Sequence, residues 1–217
     1  MRYILSTIYW KTVSFLFNVP AFDLRELINW SKKDFSMPAP HKVKMQTLKR
    51  WGGEKVWIES GTHLGDTAIS LASFANQVIT FEPSVKYFNL AYKRLKSFNN
   101  IEILEGSSEI LLENVLEKLS RAGLVNEISF WLDGHYSGGE TYRGKEDTPI
   151  LKELETIKKY LPLLKTITIC IDDVRLFRTD IVTAEKYPDL YELINWARVN
   201  GLYSVTENDI FIITNRK

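Results

Sequence analysis

Cysteine is nearly missing from this chain, and that shortage excludes two kinds of protein. The 217 residues hold one cysteine, Cys170, which lies inside the apolar run 166–171. A single cysteine can form neither a disulfide framework nor a zinc site built from several thiolates. The chain also has no internal repeat and no low-complexity tract. We therefore expect a globular protein of a reducing compartment, with the cytoplasm as its location.

A hydrophobic run long enough to cross a membrane is also missing. Residues 1–20 are rich in apolar side chains, but Lys11 and Asn18 interrupt them, and a spanning helix needs roughly 20 consecutive apolar residues. No small-residue cleavage site follows, so a secretory signal is not expected. Three interpretations of residues 1–20 stay open, in this order of preference: a helix packed on the domain, an arm that forms a homodimer, and an anchor at a membrane surface.

No long run of Lys or Arg occurs, although the charge is unevenly distributed. Residues 1–55 hold ten Lys/Arg and four Asp/Glu, a net charge of +6, whereas the remaining residues hold eighteen and twenty-three, a net charge of −5. We interpret the basic section first as a solvated helical face, and second as a surface for phosphates, lipids or a protein partner. Because the acidic part carries the motifs described below and lacks basic residues interleaved with aromatics, nucleic acid is not expected as a partner.

The overall composition is that of an ordinary globular protein. Hydrophobic residues make up 45% of the chain and charged residues 25%, and this length suits one α/β domain with an appendage. Helical patterns over residues 23–30 and 41–51, the second stopped by Gly52 and Gly53, indicate a helical N-terminal extension over residues 1–54. Residues 55–217 are predicted to form the main domain.

From residue 55 onward, short apolar runs alternate with stretches of helical periodicity. Apolar strands between amphipathic helices indicate a parallel sheet covered on both faces, and the right-handed crossover rule makes it a doubly wound, Rossmann-like α/β fold. The connector at residues 207–208 is too short for a crossover helix, so the last two strands must pair antiparallel. The predicted strands are residues 55–59, 77–82, 101–104, 128–133, 166–172, 202–206 and 209–214.

A glycine-containing loop follows the first predicted strand, where open α/β sheets bind their ligands. The loop runs from Glu59 through Gly61 and Gly65 to Thr67. Gly61 permits a tight turn and a close approach to a ligand, and Gly65 lets a helix begin against the strand. The spacing G-x-x-x-G differs from the G-x-G-x-x-G that seats a pyrophosphate, which disfavours NAD, FAD and a nicotinamide dehydrogenase.

An acidic residue, Glu82, ends the second predicted strand, 23 residues after Glu59. This position corresponds to the residue that binds the ribose hydroxyls in such folds, and two carboxylate oxygens suit two vicinal hydroxyls. The alternative is that Glu82 caps the following helix, where its negative charge is also favourable.

The patterns E-x-G-x-x-x-G-x-T and F-E-P resemble motifs I and II of class I S-adenosylmethionine-dependent methyltransferases, over about residues 55–214. The resemblance implies a seven-stranded sheet that ends in an antiparallel hairpin, with S-adenosylmethionine as cofactor. It also implies that Glu59 and Gly61 face the methionine part and Glu82 the ribose, and that serines stand near the adenine where the family often has an acid. The predicted cofactor-binding residues are Glu59, Gly61, Thr62, Gly65, Asp66, Thr67, Glu82, Ser107 and Ser108.

Three aspartates end two further predicted strands, Asp133 after the fourth and Asp172 and Asp173 after the fifth. On neighbouring parallel strands these carboxylates share one edge and repel one another unless a cation or protons neutralise them. A hard divalent ion, Mg²⁺ first, suits such oxygen ligands. In the alternative, Asp133 accepts a hydrogen bond from the cofactor, and Asp172 or Asp173 caps a loop.

This layout is similar to metal-dependent O-methyltransferases of the catechol and macrocin types. The similarity implies a metal that chelates the acceptor oxygen and favours its deprotonated form, and it makes Asp133 a catalytic residue. His135, two residues further on, is placed to act as general base; as alternatives it is a hydrogen-bonded loop residue or a further ligand. Residues 137–147 are polar and glycine-rich and are predicted to overhang the site, and Tyr136, Arg143 and Arg175 are predicted substrate contacts.

These residues are compatible with two functions. The first is an S-adenosylmethionine- and Mg²⁺-dependent O-methyltransferase that acts on a hydroxyl of a small molecule or a sugar-containing metabolite. The second is a non-catalytic S-adenosylmethionine-binding or scaffold domain of the same fold. The intact loop, Glu82 and the three aspartates favour the enzyme, because a domain without activity is expected to lose some of them.

Overall fold

The computed structural model describes residues 21–134, 148–177 and 187–216. The predicted site residues His135, Tyr136 and Arg143 lie outside these ranges, as does the segment 1–20. No helix within the ranges is both long and apolar enough to span a membrane. The helices are α1 (Ala21–Ser31), α2 (His41–Trp51), α3 (Asp66–Ala72), α4 (Val85–Leu95), α5 (Ser108–Arg121), α6 (Ile150–Tyr160) and α7 (Leu190–Val199). The strands are β1 (Val56–Ser60), β2 (Gln77–Glu82), β3 (Ile101–Glu105), β4 (Glu127–Leu132), β5 (Thr166–Ile171), β6 (Tyr203–Glu207) and β7 (Ile210–Thr214).

These strands form one sheet in the order β3-β2-β1-β4-β5-β7-β6. The pairs from β3 to β5 are parallel, and β7 is antiparallel to both of its neighbours. Asn208 and Asp209, the two residues between β6 and β7, have φ values of 51° and 67°. Positive φ at both positions is the geometry of a type I′ turn, whose twist matches that of the strands it joins. The predicted doubly wound, seven-stranded sheet with its terminal hairpin is confirmed.

Each face of the sheet is covered by helices and contributes its own hydrophobic core. Ile58 and Phe130 point into the core shared with α5, α6 and α7. Trp57 and Trp131, one position along the same strands, point into the core shared with α2, α3 and α4. Side chains alternate between the two faces of a strand, so a strand buried on both faces consists of apolar residues throughout. This explains the continuous apolar runs in the sequence.

Helix α2, within the predicted N-terminal extension, packs directly on the sheet. Met45 and Leu48 lie in the same core as Trp57. The Trp51 indole N–H donates a hydrogen bond to Glu207 Oε2 at 2.8 Å, and the Asn208 amide donates one to Thr47 Oγ1 at 2.9 Å. Apolar packing and two polar contacts to the β6–β7 hairpin therefore fix the position of α2 relative to the sheet. The domain boundary at residue 54 stays a prediction.

Candidate functional site

The loop after β1 lies at the switch point of the sheet, because the chain runs outward from β1 to β3 and then returns to β4 on the other side of β1. Gly61 has a φ of 92°, and Gly65, at the N-terminus of α3, has a φ of 85°. A Cβ atom on Gly61 would lie 2.7 Å from the Asp133 carbonyl oxygen. The predicted loop thus turns sharply against the end of β4, where open α/β sheets bind ligands.

Glu59, the last but one residue of β1, is fully buried. Its Oε2 accepts a hydrogen bond from Thr80 Oγ1 at 2.6 Å, and the Thr62 and Thr80 hydroxyls are 2.5 Å apart. Its Oε1 has no hydrogen-bond partner among the described residues. Burial raises the pKa of Glu59 to about 8, the Thr80 hydrogen bond opposes this rise, and the charges of Asp133 and Glu82 add to it. At neutral pH, Glu59 is therefore a mostly protonated carboxyl with one oxygen unsatisfied.

Glu82, at the end of β2, also forms a hydrogen bond to the loop that contains Gly61. The backbone N–H of His63 donates to Glu82 Oε2 at 2.7 Å, and the backbone N–H of Ser84 donates to Oε1 at 2.9 Å. Burial raises the pKa of Glu82, although these two hydrogen bonds oppose the rise. Each carboxylate oxygen has a second lone pair, so Glu82 can brace the loop and still accept hydrogen bonds from a ligand.

Three more of the predicted cofactor-binding residues lie on α3 or in the loop before it. The Thr62 hydroxyl is buried and directed toward Thr80 rather than toward solvent. Asp66 is exposed and accepts a hydrogen bond from Arg94 Nη2 at 2.8 Å, and Thr67 is half-buried in the first turn of α3. In the described residues, Thr62 and Asp66 therefore stabilise the loop through protein contacts.

The two predicted adenine-side serines differ in their surroundings. Ser107 precedes α5 and is half-buried, whereas Ser108 is buried. Burial raises the pKa of the fully buried Glu153, on α6, to about 7, and the Ser108 and Ser60 hydroxyls oppose this rise. Ser108 therefore faces a buried carboxyl in the protein interior, which leaves Ser107 as the more accessible of the two.

The acidic edge, which we define as Asp133, Asp172 and Asp173, lies at the carboxyl ends of β4 and β5. These strands are parallel neighbours, so the three residues share one edge of the sheet. Lys44 of α2 contacts two of them, with Nζ 2.5 Å from Asp172 Oδ1 and 3.1 Å from Asp173 Oδ1. A residue of the N-terminal section thus enters the site formed by the main domain.

A second cation, Arg175, also contacts the acidic edge. Its Nη1 donates to Asp173 Oδ1 at 2.6 Å and forms a further ion pair with Asp209, which is fully buried in the β6–β7 turn. The Arg175 backbone N–H also donates to Asp209 Oδ1 at 3.2 Å. The predicted substrate contact Arg175 is therefore engaged by two carboxylates of the protein itself.

The charges at the acidic edge follow from these contacts. Burial alone would lower the pKa of Lys44, but the Asp172 and Asp173 carboxylates outweigh it, so the pKa is raised and the ammonium persists. Burial and the nearby Asp133 raise the pKa of Asp172 against the opposing effect of Lys44. For Asp173, Arg175 and Lys44 outweigh burial and hold the pKa below its usual value.

The described residues, as they are arranged, do not fit a magnesium ion. Mg²⁺ requires nearly octahedral oxygen ligands at about 2.0–2.1 Å. The Lys44 ammonium, 2.5 Å from Asp172 Oδ1, occupies the space between the two carboxylates that such an ion would bridge. Within residues 21–134, 148–177 and 187–216, no three side chains of His, Cys, Asp or Glu are grouped closely enough to hold a metal. Of the predicted ligands, Asp172 and Asp173 are instead paired with cations of the chain, Lys44 and Arg175.

Sequence reasoning missed three residues of this site: Thr80, Lys44 and Asp209. Thr80 could have been found, because it lies two residues before Glu82 in the predicted strand 77–82, and residues two apart in a strand point to the same face. Lys44 and Asp209 gave no sequence signal. Their contacts depend on how α2 and the β6–β7 turn pack against β5.

Comparison with known proteins supports the fold. No family model matches the chain, and no curated protein matches it either. Among solved structures, it is similar to a caffeoyl-CoA O-methyltransferase candidate from Staphylococcus aureus, with a TM-score of 0.50, 17% identity, and coverage of 97% of this chain and 98% of that one. It is also similar to an rRNA-methylase candidate from Clostridium thermocellum, with a TM-score of 0.50, 12% identity, and coverage of 82% and 97%. At these identities the likeness shows the fold alone.

Proposed function

We propose that this chain is an S-adenosylmethionine-dependent methyltransferase that methylates a hydroxyl group of a small molecule or a sugar-containing metabolite. The observation that carries the proposal is Glu59, a fully buried carboxyl with one oxygen lacking a partner in the described residues, just before the Gly61 turn. A buried polar atom without a partner is costly for a protein, and Glu59 lies next to the loop at the switch point of the sheet, where a bound ligand can supply the partner. The ammonium of an amino-acid group, as in the methionine part of the cofactor, is a suitable donor for it.

The other cofactor contacts that we propose follow the geometry of the loop. Glu82 has lone pairs left for ribose hydroxyls, and Gly61 lets the backbone approach a ligand closely. Ser107 is the accessible residue on the adenine side. When bound, S-adenosylmethionine would supply a methyl group attached to a positively charged sulfur.

On the acceptor side, the protein's task is to position a hydroxyl and remove its proton. An acceptor hydroxyl beside Asp133 would lose its proton to the Asp133 carboxylate or to His135, while its oxygen forms a bond to the methyl carbon. The electron pair of the broken C–S bond stays on sulfur. Magnesium does not enter this proposal, because Lys44 lies between Asp172 and Asp173. Tyr136, Arg143 and Arg175 remain proposed acceptor contacts.

Cofactor binding should release a proton from Glu59. With a pKa of about 8 in the free protein, Glu59 is mostly protonated at pH 7, and an ammonium placed beside it favours the ionised form. Its pKa then falls on binding, so affinity rises with pH until about pH 8 and is lost as the pH falls. Isothermal titration at pH 7 in phosphate and in Tris should show different heats, equivalent to about one proton released per cofactor.

The matched control is Glu153→Gln, since Glu153 is also a fully buried acid with a raised pKa but lies on α6, across the sheet from Glu59. Glu59→Gln should abolish the buffer-dependent heat, and Glu153→Gln should retain it. Equal heats in both buffers for the wild type would contradict the role of Glu59. No cofactor binding at all would refute the proposed function.

The acceptor class is tested by transfer of a labelled methyl group. We expect label in hydroxylated small molecules and glycosides, as base-stable ethers, and none in RNA or DNA. Label in RNA would instead support a nucleic-acid methyltransferase, and an rRNA-methylase candidate does share the fold. Cofactor binding without transfer to any acceptor would favour the non-catalytic binding domain.

A further inference from the structure

Lys44 is an unusual lysine, because its charged end is buried and fixed. Only 10% of its side chain is exposed, and Asp172 is equally enclosed, with 7% exposed. Lysine is almost never buried unless it is paired. The helix that carries Lys44 is anchored by Met45 and Leu48 in the core, so this contact does not depend on a mobile surface side chain.

The position of the ammonium is that of a bridging cation. Its Nζ donates to one oxygen of Asp172 and to one oxygen of Asp173. The Asp173 backbone N–H also donates to Asp172 Oδ1 at 2.8 Å, and Asp173 has a φ of 56°. Asp tolerates this left-handed backbone conformation only at some cost, and here it brings both carboxylates to the same cation.

A divalent ion at this place would have to displace the ammonium. A metal that bridges Asp172 Oδ1 and Asp173 Oδ1 would need the place of Nζ, which contacts the same two oxygens. The two positive charges would then repel at short range in a poorly solvated site. Lys44 would then be a buried charge without a partner, which is strongly unfavourable. The wild-type site therefore selects between the lysine and the metal and cannot hold both.

We infer that Lys44 replaces a divalent cation at the acidic edge. It is a positioning residue whose ammonium neutralises Asp172 and Asp173, so that the site works without a metal. The inference extends the proposed function, because it says what holds Asp172 and Asp173 in place on the acceptor side of the site. This role of Lys44 rests on the proposed function. The competition between Lys44 and a metal does not, and it can be measured without the cofactor.

The test is a titration of the full chain with Mn²⁺, followed by electron paramagnetic resonance and by isothermal calorimetry. The wild type should show no saturable binding at millimolar Mn²⁺. Lys44→Met removes the ammonium and leaves two adjacent carboxylates, so its Mn²⁺ affinity should exceed that of the wild type by at least about tenfold. The Lys44→Met/Asp172→Asn double variant should lose that gain, since it lacks one ligand.

Lys49→Met is the matched control, because Lys49 lies on the same helix but is exposed; it should leave Mn²⁺ binding unchanged. Lys44→Arg retains the cation and should also bind no Mn²⁺, and this result holds even if Lys44→Met does not fold. Saturable Mn²⁺ binding by the wild type that Asp172→Asn abolishes would overturn the inference. So would Mn²⁺ binding by Lys44→Arg. Cofactor titration of the same samples separates this outcome from failure of the proposed function.

Discussion

Replacing Glu82 with glutamine should lower the affinity for S-adenosylmethionine by about 100-fold, equivalent to roughly 2.7 kcal/mol. The two oxygens of Glu82 accept hydrogen bonds from the backbone N–H groups of His63 and Ser84. Glutamine offers one acceptor oxygen, and its NH₂ group would face the second N–H. The variant therefore leaves a buried donor unsatisfied, loosens the loop at His63 and removes one of the acceptors that we propose for the ribose. Isothermal titration at pH 7 measures the dissociation constant.

Glu105→Gln is the control for this substitution. Glu105 pairs with Glu82 in the parallel register of β3 and β2 but is exposed. The same chemical change should therefore leave the affinity within about twofold of the wild type, as is usual for surface substitutions. If Glu82→Gln binds the cofactor as the wild type does, Glu82 has no part in binding and the assignment of the ribose site is wrong.

Gly61→Ala should abolish cofactor binding and lower the free energy of unfolding by roughly 3 kcal/mol. Two effects add. Gly61 has a φ of 92°, which L-residues rarely adopt, and the new Cβ would lie 2.7 Å from the Asp133 carbonyl oxygen. That oxygen belongs to the backbone at the end of β4 and cannot move aside as a side chain can. Urea denaturation and cofactor titration measure the two losses separately.

Gly201→Ala separates backbone strain from the steric clash. Gly201 also has a positive φ, 71°, but a Cβ there would meet no atom of the described residues within 4 Å. Its substitution should lower the free energy of unfolding by about 1 kcal/mol, the cost of the left-handed conformation alone, and should leave cofactor binding intact. Equal losses for the two variants would show that the contact between Gly61 and Asp133 is unimportant.

The fold could be predicted almost completely, because its signals are local. The apolar runs at residues 77–82 and 166–172 coincide with β2 (Gln77–Glu82) and β5 (Thr166–Ile171) to within one residue. Such strands are buried on both faces and must be apolar throughout. The connector before β7 is also a local signal, because it is too short for a crossover helix and so requires β6 and β7 to pair antiparallel. Strand and helix periods, together with connection lengths, leave few topologies to choose from.

The candidate site could be predicted only in part. Glu59, Gly61 and Glu82 lie at or just after strand ends, and the sheet topology brings them to one edge. There Glu82 accepts a hydrogen bond from the backbone N–H of His63, in the loop that contains Gly61. The metal prediction used the same argument for Asp133, Asp172 and Asp173. It placed these acids correctly on one edge of the sheet, but it could not identify the cations of the chain that lie beside them. Lys44 comes from a helix 128 residues away in sequence from Asp172, and no local pattern encodes that approach.

In the loop around Gly61 and its surroundings, some features follow from the sequence and others only from the tertiary structure. The sequence by itself determined the strands, the antiparallel pairing of the last two strands and the edge at which chemistry is expected, because hydrophobic periodicity, connection lengths and glycine positions act over a few residues. The tertiary structure alone decided that Glu59 is buried with a raised pKa and that Lys44 and Arg175 form ion pairs with Asp172 and Asp173. Burial and charge pairing depend on which distant segments meet, and these two quantities set the ionisation states on which the chemistry depends.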